Sequence, residues 1–346
     1  WAVVACDQYT SQRSYWKSVE DDVADTPSTL HMIFPEVYLE DEDKHQRILD
    51  ISNTMTQYME EGALTTLPPS FVYVERTLNT GIRKGLLVTL DLEQYDYQEG
   101  SQTLIRATEG TVLDRLPPRI AIRKDAVLEV PHIMVLIDDP EKTVIEPTSE
   151  HLLEADKLYD FDLMMDGGHI TGYQVGSCAA IERILKALTQ LANPKTFQKK
   201  YDVDNDKGVL LFAMGDGNHS FATAKACWDN MKKSLSEEEK ENHPARFALV
   251  ELVNVHDDSL VFEPIHRVLF QVDPENILDA MKEYFTSTGQ GFDYESFSSE
   301  KEMNDNYQAL LSDKKNNNCV CLGDTKNILN SKKDVHLIPY MFYGEW

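Results

Sequence analysis

The run Gly208-Val209-Leu210-Leu211-Phe212-Ala213-Met214 leads directly into Gly215-Asp216-Gly217-Asn218-His219-Ser220, and then into Phe221-Ala222-Thr223-Ala224-Lys225-Ala226-Cys227-Trp228. The short apolar run predicts a buried strand. The stretch of good helix formers after it predicts a helix. Two glycines in the join leave room for little except a strand–turn–helix unit. A helix that starts there presents backbone N–H groups without intrahelical partners, and the positive end of its dipole, so its start suits a phosphate or a carboxylate. Ser220 reads as the N-cap. Asp216, Asn218 and His219 would project from the turn at the carboxyl end of the strand. The hexapeptide lacks the Lys-Ser/Thr ending of a Walker loop, the Gly-x-Ser-x-Gly of a hydrolase elbow and the third glycine of a dinucleotide fingerprint. A plain connection with polar turn residues is the competing reading.

Strand and helix signals alternate along the chain, which predicts an α/β (mixed α+β) fold with a mixed sheet flanked by helices. Trp1–Ala5, Phe71–Glu75, Lys84–Leu92, Ile133–Ile137, Phe161–Met165, Phe247–Val255 and Val268–Val272 read as strands. Asp43–Glu61 reads as a helix closed by Gly62, and Pro274–Thr286 as another. Ser177–Leu191 reads as an amphipathic helix with Ile181, Ile184, Leu185 and Leu188 on one face. Pro194–Lys207 reads as a polar linker. The expected organisation is an N-terminal lobe over 1–150, a core lobe over 151–290 and a polar C-terminal tail over 291–346, to which we assign no chemistry.

A formal charge of −26 argues against a nucleic-acid partner, since counterion release needs a basic face. With 42% hydrophobic residues there is ample material for a core, yet no apolar run approaches the ~20 residues of a membrane helix. Five cysteines (Cys6, Cys178, Cys227, Cys319 and Cys321) have no zinc-type spacing and read as reduced thiols, which predicts a cytoplasmic protein. The chain starts at Trp, so residues ahead of it are expected. The sequence leaves a homodimer open.

Against this acidic background, Arg106, Arg115, Arg119 and Arg123 fall within 18 residues, out of 11 arginines in all. Arginine binds phosphate and carboxylate bidentately at any working pH. Such a cluster would give an anionic substrate the positive field that the rest of the chain denies it. Pro117-Pro118 is expected to keep the four from lining one helix. Arg119 and Arg123 also suit simple ion pairing with nearby acids. A further pattern is the pair Asp166-Gly167-Gly168-His169 and Asp216-Gly217-Asn218-His219, each after an apolar stretch. If their strands are sheet neighbours, Asp166 and His169 would join Asp216 and His219 to hold Mg²⁺ or Mn²⁺ against a phosphate.

Several segments together resemble the family catalogued as domain of unknown function 1015. They are Trp1-Ala2-Val3-Val4-Ala5-Cys6-Asp7-Gln8-Tyr9-Thr10, Pro27 through Tyr38, Arg106-Ala107-Thr108-Glu109 with Arg115, Asp166 through His169, the glycine turn at 215–220, and Phe262-Glu263-Pro264-Ile265-His266-Arg267. They span about residues 1–275. More distantly, the glycine turn resembles the Asp-Gly-His-His-Arg turn of the ParB-like and free-serine-kinase superfamily, which implies a core of that kind. In those kinases a glutamate within a Pro-His-Glu segment is the catalytic base, and the matching residue here is Glu109. Asp216 and His219 match the Asp and second His of the turn. Thr108 stands where His is found, Asn218 replaces the first His, and Ser220 replaces Arg, so one phosphate clamp is missing.

The resemblance implies phosphoryl transfer on a small hydroxyl amino acid, either phosphoserine hydrolysis or serine phosphorylation. Relatives encoded beside enzymes of phosphorylated serine synthesis favour the hydrolytic direction. The expected catalytic residues are Glu109, Asp216 and His219. Arg106, Arg115, Gly217, Asn218 and Ser220 are expected to bind a small phosphorylated or hydroxyl metabolite. The alternative is a non-enzymatic nucleotide or metabolite regulator of the ParB-like type.

Overall fold

Apolar positions in Phe71–Leu78 (β1) and Gly81–Asp91 (β2) bury Tyr73, Val74, Leu86, Val88 and Leu90, and Asn79-Thr80 turns the two into an antiparallel pair. A computed structural model describes residues 2–130, 133–165, 167–260, 265–270 and 273–289, with short pieces at 292, 297–299, 302, 323–324 and 335–340. The next strands are β3 (Tyr95–Asp96), β4 (Ile105–Arg106), β5 (Met134–Ile137), β6 (Lys157–Asp162), β7 (His169–Val175), β8 (Phe212–Asp216) and β9 (Phe247–Asn254). Together they form one mixed sheet in the order β3-β4-β8-β5-β9-β2-β1-β7-β6. β9 is its middle strand, parallel to β5 and antiparallel to β2.

The helices are α1 (Arg13–Val23), α2 (Lys44–Glu60), α3 (Leu116–Arg123), α4 (Cys178–Leu191), α5 (Pro194–Tyr201), α6 (Asn218–Met231), α7 (Glu237–Asn242) and α8 (Pro274–Ser287). The fold is therefore the mixed α/β assembly that the alternating pattern predicts. Strands from both sides of residue 150 share the sheet, so the chain does not divide into the expected lobes. It divides instead into Trp1–Leu260 and Val261–Trp346. The second unit holds α8 and an antiparallel sheet of β10 (Ile265–Phe270), β11 (Gly323–Asp324) and β12 (Val335–Tyr340), in the order β10-β12-β11. Most of the expected tail, and residues 262–264 of the family-like segment, lie outside the described residues.

Two apolar cores support the first unit. The larger packs sheet residues such as Tyr73, Leu86, Val135, Met214 and Leu252 against Ile184 of α4 and Phe221, Ala224 and Trp228 of α6. The smaller belongs to the N-terminal layer, where Trp16, Val19 and Val23 of α1 meet Ile51, Met55 and Tyr58 of α2.

Local expectations fail where tertiary contacts decide. Residues 2–5 form no strand, and the Val3 N–H instead donates to Thr29 Oγ1 (3.0 Å). The expected linker begins as α5, with Pro194 in its first turn and the Asn193 side chain accepting from the Lys195 and Thr196 N–H groups. The strand expected at Phe161–Met165 lies earlier, over Lys157–Asp162, where it pairs with β7. Ser177 caps α4 as its sequence suggests, but Leu185 is 50% exposed, so the buried stripe runs through Ile184 and Ala187. Among the described residues no helix is long and apolar enough to cross a membrane.

Candidate functional site

β4 and β8 lie side by side and parallel, with Ile105 opposite Phe212 and Arg106 opposite Ala213. Their following loops must therefore leave the sheet at the same end, where open α/β sheets bind ligands. Glu109 comes three residues after Arg106 and Asp216 three after Ala213, so the parallel register carries both carboxylates to one rim. Two hydrogen bonds lace the loops together. Thr108 Oγ1 donates to the Met214 carbonyl (2.6 Å), and the Val112 N–H donates to His219 Nε2 (3.2 Å).

The N-cap of α6 is Gly217, in the left-handed region at φ 85°, and not Ser220, which sits inside the first turn. A Cβ on Gly217 would lie 3.2 Å from Ile133, and the positive φ would strain any other side chain. Glycine also brings no capping side chain, so the helix start keeps its affinity for an outside acceptor. The Gly217 N–H donates to Asp216 Oδ1 (2.8 Å), which fixes that carboxylate against the turn. Below the turn, Phe221, Ala222, Ala224 and Trp228 are buried, and Trp228 Nε1 donates to Glu93 (2.5 Å). This packing holds the helix start in place.

A cavity of about 630 Å³ opens at this rim, within the range of small-molecule sites. Glu109, Asp114, Arg115 and Arg119 line one side, and residues 216–220 another. Asp7, Thr10, Glu36, Leu39 and Glu40 of the N-terminal layer complete it. The Glu36 N–H donates to the Cys6 carbonyl (2.8 Å), joining the two N-terminal segments that supply those residues. Six carboxylates thus face the cavity, with two guanidinium groups. Arg119 is paired with Glu36, which leaves Arg115 without a salt bridge among the described residues. A smaller concavity of about 270 Å³ between Glu75, Ser149, Leu153 and Tyr173 contains none of the candidate residues.

Two titratable groups at the cavity or beside it are shifted, each chiefly by burial. Burial first, then the Arg119 and Arg115 charges, hold the His219 imidazole below its usual range. His219 is neutral at pH 7, with its proton on Nδ1, because Nε2 accepts from Val112. Burial first, then the Asp7 and Glu36 carboxylates, push the Cys6 thiol up to about 12. Glu109 and Glu36 oppose the arginines at His219, and Arg119 opposes the carboxylates at Cys6, so charges of both signs reach both groups.

A family model described as protein of unknown function (DUF1015) matches residues 1–339. The chain belongs to the DUF1015 family. No curated protein and no solved structure matches it.

In this DUF1015 chain, Glu109, Arg115, Asp216, Gly217, Asn218, His219 and Ser220 line the one cavity. Arg106 does not. Its Nε donates to the Thr103 carbonyl (2.7 Å) and its Nη2 to the Gly208 and Val209 carbonyls (2.6 and 3.0 Å), so it ties β4 to the segment entering β8. Arg119 and Arg123 share α3, because Pro117 and Pro118 fall in its first turn, where proline is tolerated. Arg123 is paired with Glu129. Arg115→Ala is accordingly expected to weaken binding of a phosphorylated ligand by about 1.5–3 kcal/mol. Arg106→Ala should leave that binding unchanged and lower stability by about 1–3 kcal/mol. Calorimetric titration and urea unfolding of both variants check the contrast.

The two Asp-Gly-x-His segments do not converge. β7, which starts at His169, and β8 are separated by β5, β9, β2 and β1, or roughly 24 Å at ordinary strand spacing. His169 is held by Asp162 and Asp160 (both 2.7 Å), which raise its pKa. Asp166 lies outside the described residues. Among the described residues no set of three or more His, Cys, Asp and Glu side chains is arranged to hold a metal. Sequence reasoning missed Asp7, Glu36 and Glu40. Asp7 and Glu36 stood inside the family-like segments, but nothing in their spacing pointed to a shared cavity.

Proposed function

We propose that this cavity performs phosphoryl transfer on a small hydroxyl amino acid, with phosphoserine hydrolysis as the direction and serine phosphorylation as its counterpart. The observation that carries the reading is the pairing of a helix start without a side-chain cap, and of Arg115, with Glu109 at the rim of one cavity. The phosphate oxygens would lie at the start of α6 with Arg115, where backbone dipoles and a guanidinium favour the charge of the transferring group. Glu109 would take a proton from water as the water oxygen bonds to phosphorus. The bond from phosphorus to the serine oxygen breaks, and Glu109 returns the proton to that oxygen. Asp216, fixed by the Gly217 N–H, would orient the substrate. Neutral His219 adds no positive charge of its own. The resemblance of Glu109 and the glycine turn to free-serine kinases supports the same roles.

Mg²⁺ or Mn²⁺ would enter as a counter-ion of the phosphate, not into a ready-made protein cage. It would neutralise charge on the phosphate oxygens. The unpaired thiols of Cys6, Cys178 and Cys227 go with a cytoplasmic setting. A second reading, a metabolite- or nucleotide-binding regulator without turnover, draws on Ser220, which stands where the kinases have an arginine. The test is a phosphate-release screen over phosphorylated amino acids, with and without Mg²⁺, on protein freed of small molecules. Release from phosphoserine is the expected result. Tight binding with no release from any compound would favour the regulator.

A further inference from the structure

We propose that Asp7 and Asn218 form a receptor for a primary ammonium group, making the cavity selective for aminated phosphate esters and amino alcohols over their desamino counterparts. The proposal rests on the phosphoryl-transfer reading for the position of the phosphate, and it adds the group that recognises the other end of the ligand. Two buried oxygens carry it. Asn218 is 5% exposed, lines the cavity, and its Oδ1 has no hydrogen-bond partner. Asp7 lines the same cavity, and its Oδ1 is also buried without a partner. Leaving one buried acceptor unmet is costly, and two on residues that line one cavity point to a donor supplied from outside.

The chemistry of that donor follows from charge and number. A neutral hydroxyl offers a single proton to a wall that carries an excess of carboxylates. An ammonium offers three N–H donors and a positive charge, enough for both oxygens, and its hydrogen bonds are charge-assisted. A divalent cation would want a larger set of hard oxygens in fixed geometry, and no group of three metal-ligating side chains is present among the described residues. The Asp7 carboxylate lies near enough to Cys6 to raise its thiol, after burial, and Arg115 near enough to His219 to lower its imidazole, after burial and Arg119. A ligand with ammonium at one end and phosphate at the other would meet the Asp7 carboxylate with the first and the Arg115 guanidinium with the second.

The test compares L-phosphoserine with 3-phosphoglycerate, in which a hydroxyl replaces the ammonium, by calorimetric titration of the full chain with and without Mg²⁺. Unaltered protein should bind phosphoserine about tenfold to a hundredfold more tightly. Asp7→Asn and Asn218→Leu should each shrink that ratio, chiefly by weakening phosphoserine, with 3-phosphoglycerate changed less than about threefold. Equal affinities in the unaltered protein overturn the proposal, and so does the absence of binding by either compound. Asp7→Asn weakening both compounds equally, and only when Mg²⁺ is present, overturns it in favour of a metal site. If a variant fails to give a folded circular-dichroism spectrum, the comparison in the unaltered protein decides alone. The two readings separate cleanly. An Asp7-dependent preference for the amine without phosphate release keeps the receptor and rejects the reaction. Phosphate release without that preference does the reverse.

Discussion

Glu109→Gln is expected to lower phosphoserine turnover by ~10²–10⁴ while leaving substrate affinity nearly unchanged. The amide keeps the size and hydrogen-bonding reach of the carboxylate but cannot take a proton from water. The loop that carries Glu109 should hold its place, because its anchors are Thr108 on the Met214 carbonyl and Val112 on His219, neither of which involves the Glu109 side chain. Asp216→Asn should act differently. The Asp216 carboxylate already accepts from the Gly217 N–H, which suits a holder better than a shuttle. Its loss is expected to weaken ligand binding at least as much as it lowers turnover. Steady-state phosphate release and calorimetry on both variants settle the division. A normal rate in Glu109→Gln, with turnover abolished and binding intact in Asp216→Asn, would reverse the two roles.

Phe221→Ala is expected to cost about 3–5 kcal/mol of stability, read as a shift of the urea midpoint. The ring is fully buried, one helical step beyond the site residues, and meets Tyr95 edge-on with centroids 4.5 Å apart. Its removal leaves a cavity between α6 and β3 that rigid sheet strands cannot close, and aromatic contact is lost as well. Because Phe221 lies in the first turns of α6, ligand affinity should fall even under conditions where the variant remains folded. A loss below about 1 kcal/mol would show that the neighbouring chain collapses into the gap.

The strand–turn–helix unit was legible because its signal is local. Apolar run, glycine pair and helix formers succeed one another within one segment, and β8 and α6 follow them. The helix cap was not legible. Ser220 is the better capping residue by type, but the left-handed turn at Gly217 starts the helix earlier. Glu109 was reached through resemblance, since the strand before it, β4, has two residues and no readable periodicity. Arg106 was misplaced because sequence reports charge and not direction, and three backbone carbonyls claim its guanidinium. The pairing of Asp166-Gly-Gly-His169 with the central turn needed neighbouring strands. Sheet order depends on contacts far apart in sequence, and the hairpin of β6 and β7 lies at one edge. Asp7 was missed for the same reason: it reaches the cavity through packing of the N-terminal layer.

The place of β9 has a consequence for how the chain is made. A ribosome that has not yet released Phe247–Asn254 holds a sheet in two halves, β3-β4-β8-β5 and β2-β1-β7-β6, with nothing to join them. Each half then shows an open apolar edge, Val135–Ile137 on one and Leu86–Leu90 on the other. Such edges recruit strands from other chains. Nascent chains stalled before Phe247–Asn254 has left the ribosome should therefore aggregate or occupy chaperones, whereas chains long enough to release that strand should not. Synthesis past a single strand is the step that joins two sticky fragments into one sheet and leaves only β3 and β6 at its edges.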